Sequence, residues 1–101
     1  MRIISGSARG RRLVTPVGME IRPTTDKVKE ALFSILHFDL PGKHVLDLFA
    51  GTGQLGLEAL SRGAADVVFT DSSKKAVALI KQNVGLTGFG AQSTVLQTDA
   101  F

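Results

Sequence analysis

Hydrophobic positions along the chain switch between two periods. Val45 to Phe49 is an apolar run broken by one carboxylate, Asp47, and predicts a buried parallel strand. From Leu55 the spacing turns helical through Leu57, Ala59 and Leu60, with Gly63 as a stop. Ala65 to Asp71 is a second strand-like run ending in an acid. Ala76, Val77, Leu79, Ile80 and Val84 predict another helix, Gly85 to Gly90 a loop, and Ser93 to Asp99 a third strand that again ends in an acid. Upstream, Val28, Ala31, Leu32, Ile35 and Leu36 follow the stripe of an amphipathic helix, expected to face the core with Phe33 beside it. Thr24 or Thr25 is its expected N-cap, Asp26 sits in its first turn, and Pro41-Gly42 ends the segment. Arg2 to Pro16 reads as a β-hairpin or short extended arm, with Ile3, Ile4, Leu13 and Val14 as apolar patches and Gly6 and Gly10 at bends.

Strand–helix–strand–helix–strand implies a parallel sheet with right-handed crossovers, hence a strand order 3-2-1. Asp47, Asp71 and Asp99 then share one edge, where open α/β sheets bind ligands. The expected class is α/β: the N-terminal half of a Rossmann-like fold over residues 21–101, preceded by a basic hairpin arm over residues 1–20. In this order the central strand has an unpaired outer edge, which invites association with another chain.

Between the first strand and its helix lies Ala50-Gly-Thr-Gly53, a turn whose glycines let a ligand approach the backbone. Gly51-Thr-Gly-Gln-Leu-Gly56 also fits the dinucleotide pattern G-x-G-x-x-G, with Asp71 twenty residues after Gly51. Asp47 separates the two cofactor classes. A pyrophosphate site wants no nearby anion, whereas S-adenosylmethionine has a cationic amino group, a ribose diol and no phosphate. The plainer reading of Asp47 is a carboxylate capping backbone donors. Asp71 is placed to accept from both ribose hydroxyls, or to cap the next helix, a role open also to Ser72 and Ser73. Asp99 is placed to accept from an adenine amino group, or is a plain strand-end residue.

Composition removes several classes. Zero cysteines exclude a disulfide framework and a thiolate nucleophile. The two histidines, His37 and His44, have no ligand partner at a useful spacing. No run of eighteen apolar residues occurs, and the start has no signal-peptide core, so a cytoplasmic protein is expected. Residues 1–29 carry seven basic and two acidic side chains, whereas the rest of the chain is slightly acidic. Arg9, Arg11 and Arg12 cluster near the hairpin turn, which suggests an arm that holds nucleic-acid phosphates; the bland alternative is a solvated extension.

Arg22-Pro-Thr-Thr-Asp-Lys-Val-Lys-Glu-Ala-Leu-Phe33, Leu46-Asp-Leu-Phe-Ala-Gly-Thr-Gly53 and Gly56-Leu-Glu-Ala-Leu-Ser-Arg-Gly-Ala64, with the opening Met-Arg-Ile-Ile-Ser-Gly, resemble the RsmD-type methyltransferases. Members of that family methylate guanine N2 in 16S ribosomal RNA with S-adenosylmethionine. The resemblance implies that Asp47, Gly51 and Gly53 hold the methionine end, with Phe49 and Ala50 in the same loop. It implies Asp71 and Ser72 at the ribose, Asp99 and Ala100 at the adenine, and Thr24 and Thr25 in a segment closing over the methionine end. It also implies 16S rRNA, or a small-subunit assembly intermediate, as the partner. The family's Asn-Pro-Pro-aromatic motif, which holds the target amine, does not occur in these 101 residues, so no catalytic residue is expected here. The alternatives are a nicotinamide-binding dehydrogenase domain and a non-catalytic RNA-binding module.

Overall fold

The computed structural model describes residues 1–15, 23–48 and 50–98, with residues 23–26 described by backbone alone. The elements run α1 (Pro23–Leu36), β1 (His44–Asp47), α2 (Gln54–Ser61), β2 (Asp66–Asp71), α3 (Lys74–Thr87), a short 3-10 turn (Gly90–Gln92) and β3 (Ser93–Gln97). All strand pairs are parallel, and the order β1-β2-β3 is the expected 3-2-1 sheet seen from its other edge.

β1 closes at Asp47, two residues before the expected Phe49, β2 opens at Asp66, one residue after the expected Ala65, and both α1 and α3 are longer than the sequence suggests. α1 begins at Pro23, ahead of the threonines expected to cap it. Proline is favoured in a first turn, where its missing N–H has no intrahelical partner to lose. α3 runs through Gly85 and ends a turn later than expected, at Gly88. Gly88 has a φ of +78°, the left-handed conformation that closes helices.

Among the described residues, helices cover one face of the sheet. Val67 and Phe69 of β2 are buried beneath α2 and α3. The register places Leu46, Val68 and Thr94 together on the other face, where Leu46 is 59% exposed and Leu96 of β3 is 47% exposed. The expectation of a fully buried first strand is therefore corrected. Its edge is unpaired and one of its faces has no helix against it among the described residues.

α1 also turns a different side inward than its apolar stripe suggests. Val28 and Ile35 are 68% and 77% exposed, whereas Lys29 and Phe33 are buried. The reason is the surface α1 packs on. Glu58, fully buried in α2, draws in the Lys29 ammonium at 3.4 Å. The Arg62 guanidinium lies 4.9 Å above the Phe33 ring.

The N-terminal segment folds back on itself with one antiparallel bridge, Arg2 to Arg12. It is sewn onto α2: the Ile4 and Ser5 N–H groups donate to the Glu58 carboxylate, Ser7 N–H to the Ser61 carbonyl, and Ala8 N–H to Ser61 Oγ. Ile3, Ala8 and Leu13 join the core. At Gly6 (φ +88°) a Cβ would stand 1.8 Å from the Ser61 carbonyl oxygen, so only glycine permits this approach. The boundary expected at residue 20 lies outside the described residues.

α2 meets the sheet through Gly56, where a Cβ would lie 2.3 Å from the Phe69 ring and 2.9 Å from Val67. Gly56→Ala is expected to destabilise the fold by about 1–3 kcal/mol, the usual effect of overpacking, measured as a lowered midpoint in urea unfolding followed by circular dichroism.

Candidate functional site

The site forms where β1 and β2 end. The chain leaves β1 through Ala50, whose N–H donates to the Thr70 carbonyl at 2.9 Å, and turns back so that Gly53 N–H donates to the Ala50 carbonyl at 2.8 Å. Gly51 (φ +60°) and Gly53 (φ +82°) make this turn possible, and Gly53 is the N-cap of α2. Having no side chain, Gly53 cannot satisfy the first N–H groups of the helix.

Asp47 satisfies one of them instead, its Oδ2 accepting from Gly56 N–H at 3.1 Å. The backbone-capping reading of Asp47 is thus realised. The same carboxylate also lines a cavity of about 930 Å³. Burial pushes its pKa above the ordinary value of 3.8, and the Gly56 hydrogen bond opposes this without cancelling it.

Asp71, half-exposed, joins two turns. Oδ2 accepts from Gly51 N–H at 3.1 Å and Oδ1 from Ser73 N–H at 2.9 Å. The cap of α3 is Ser73, whose hydroxyl oxygen accepts from Ala76 N–H, so helix capping falls neither to Asp71 nor to the exposed Ser72. Ala50, Gly51 and Asp47 line the cavity; Gly53, Asp71 and Ser72 are not among its walls. Phe49, Asp99 and Ala100 lie outside the described residues, and Thr24 and Thr25 are placed by backbone alone, in the first turn of α1.

Several lining residues were not singled out from the sequence. Gln54 follows the glycine turn, and its buried Oε1 has no hydrogen-bond partner. Its place inside the glycine motif was the available signal. Ala76 and Leu79, which the sequence shows among the apolar positions of α3, line the cavity together with Gln82. Met1 also reaches the cavity, and its sulfur accepts from the Thr52 hydroxyl at 3.2 Å. No sequence signal pointed to that contact.

On the hairpin, Arg9, Arg11 and Arg12 are exposed. Arg11 is partly engaged, Nη1 donating to the Leu86 carbonyl at 3.0 Å.

A glycine turn between a parallel strand and a helix, acids at the ends of neighbouring strands, and this strand order define a Rossmann-like domain, and its relatives are methyltransferases. A solved Escherichia coli protein, yhhF, described as a candidate methyltransferase, superposes with a TM-score of 0.85 at 34% identity, over 99% of this chain and 52% of that one. The chain belongs to the family described as Conserved hypothetical protein 95, which matches residues 1–101, and the resemblance to RsmD-type enzymes holds. YlbH of Bacillus subtilis, named as a candidate rRNA methyltransferase, is 45% identical over 100 residues, covering 99% of this chain and 54% of YlbH. Ribosomal RNA small subunit methyltransferase D of Escherichia coli is 47% identical over 74 residues, covering 73% of this chain and 37% of that protein. The chain therefore spans about half, or less, of the length of these relatives.

Proposed function

We propose that this chain supplies the S-adenosylmethionine-binding half of a cytoplasmic RNA methyltransferase acting on guanine N2 of 16S rRNA, free or in a small-subunit assembly intermediate. The observation that carries the reading is the pairing of a buried carboxylate, Asp47, with an unpartnered acceptor, Gln54 Oε1, in one cavity at a glycine turn. Both want a donor or a cation, and the ligand's ammonium is one. A pyrophosphate would meet the Asp47 charge instead, which disfavours a nicotinamide dinucleotide. The names of the relatives support the RNA substrate.

When bound, the cofactor supplies an electrophilic methyl group on its sulfonium. This chain's share is to orient it. Asp47 and Gln54 take the ammonium, and the turn at Gly51 gives the ligand backbone to lie against. Asp71 keeps lone pairs for the ribose hydroxyls, since a carboxylate offers about four acceptor positions and two are engaged here. The exposed Arg9 and Arg12 hold RNA phosphates, with Arg11 adding the N–H groups that Leu86 does not occupy. Among the described residues none is placed to hold the guanine amine. The bare sheet face and the free β1 edge are where a further polypeptide, or a second copy, would pack.

Calorimetric titration with S-adenosylhomocysteine, with NAD as control, tests the reading. Binding of the adenosyl ligand alone, with no methyl transfer to ribosomal RNA by the 101-residue protein, is the expected result. Binding of NAD in its place would overturn it. Asp71→Asn is expected to weaken adenosyl binding by about 1–3 kcal/mol. Equal affinity in the same titration would leave Asp71 as a stitch between turns only.

A further inference from the structure

Asn83 is fully buried in α3, among Ile80, Val84 and Thr87, where an apolar side chain would be the cheaper choice. Its amide is used on both sides. Oδ1 accepts from Val14 N–H at 2.6 Å and Nδ2 donates to the Val14 carbonyl at 3.0 Å, so the side chain pairs with the hairpin as a neighbouring strand would. The second Nδ2 proton goes to the Thr52 carbonyl at 2.9 Å.

That carbonyl belongs to the peptide between Thr52 and Gly53, whose N–H donates to Ala50. Glycines with positive φ flank Thr52 on both sides, which leaves this peptide free to rotate unless both its faces are held. Asn83 holds one of them. The Thr52 hydroxyl adds a second tie to the hairpin, through Met1.

We propose that Asn83 is a positioning residue for the cofactor turn: it fixes the Thr52–Gly53 peptide and makes that orientation depend on the docked hairpin. The proposal rests on the adenosyl-binding reading for its functional consequence, though not for its structural one. A turn already held in one geometry loses less freedom when it takes up a ligand. The hairpin thereby becomes part of the cofactor site rather than only a basic surface.

Asn83→Asp keeps the size and the acceptor for Val14 N–H, but turns an oxygen toward the carbonyls of Thr52 and Val14. Thr87→Val is the control. It removes a buried hydroxyl bonded to the Asn83 and Val84 carbonyls, and so lowers stability without touching the turn. Amide exchange followed by NMR on the unliganded protein, well below each variant's melting temperature, reads the turn directly. Asn83→Asp is expected to speed exchange at Gly53 about tenfold, the scale of one lost buried hydrogen bond. Phe69 in β2 should keep its protection, and Thr87→Val should leave Gly53 as in the wild type. Affinity for S-adenosylhomocysteine should fall by about the same factor in Asn83→Asp alone. Gly53 exchange within twofold of wild type in Asn83→Asp would overturn the proposal. If Asn83→Asp does not fold, Val14→Pro, which removes the hairpin N–H bonded to Asn83 as it fixes φ there, must accelerate Gly53 in its place. Should the wild type bind no adenosyl ligand, the cofactor reading falls, while exchange at Gly53 still decides what Asn83 does.

Discussion

Glu58→Ala is expected to remove most of the fold's stability at 25 °C. The carboxylate is fully buried and receives four contacts from three parts of the chain. The N–H groups of Ile4 and Ser5 donate at 2.9 and 3.1 Å, Arg62 Nε at 2.9 Å, and the Lys29 ammonium stands at 3.4 Å while also donating to the Arg2 carbonyl at 2.8 Å. Removing it strands a buried ammonium and two backbone donors together. Breaking a buried pair from one side costs about 3–5 kcal/mol, against a total of about 5–15 kcal/mol for a domain. With helices on only one face of its sheet among the described residues, this chain is expected near the lower bound. The check is chemical denaturation of Glu58→Ala beside Lys29→Met/Glu58→Gln. The double variant removes the stranded charge and should recover part of the loss. A midpoint for Glu58→Ala within experimental error of wild type would show that the cluster is ornamental.

The same cluster shows what the sequence made legible and what it concealed. Strand–turn–helix periodicity located β1, α2, β2, α3 and β3, and the spacing of Gly51, Gly53 and Asp71 placed the turn beside the second strand's acid. Those are local patterns, set by neighbours within a few residues. The inward side of α1 was misread because apolar spacing carries no information about a buried partner. Lys29 turns inward for a carboxylate 29 residues away, and the stripe of Val28, Leu32 and Ile35 is left outside. Asn83 was hidden for a similar reason. A lone amide on a helix reads as solvated, and its partners Val14 and Thr52 lie 69 and 31 residues away. For Asp47 the capping reading is realised through one oxygen, and the same carboxylate lines the cavity. Sequence spacing can nominate a residue for a site. It does not show which of that residue's atoms the backbone already engages.

Asp47→Asn separates the observed helix cap from the proposed cofactor contact. The amide oxygen can still accept from Gly56 N–H, so the start of α2 should survive. The buried charge disappears, and with it a desolvation penalty. The sign follows from the shift. A carboxyl whose pKa rises on folding favours the folded state when protonated, and that contribution is lost as pH rises through the raised value. At neutral pH the ionised Asp47 is therefore a burden on stability, and Asp47→Asn should melt no lower than wild type, or somewhat higher. Binding should move the other way. Loss of a charged partner for the ligand's ammonium is expected to weaken S-adenosylhomocysteine by about 1.5–3 kcal/mol, or roughly tenfold to a hundredfold. Wild-type affinity should also decline on acidification, beginning above the range of an ordinary carboxylate near 3.8, because only the ionised form attracts the cation. Asp47→Asn should show no such decline. Calorimetric titrations at several pH values, beside thermal melts of both proteins, make the test. A variant that binds as tightly as wild type would reduce Asp47 to a helix cap. A variant that loses both stability and binding would show that its charge serves the fold rather than the ligand. Gain of stability with loss of affinity is the signature of a group retained for function against the preference of the fold.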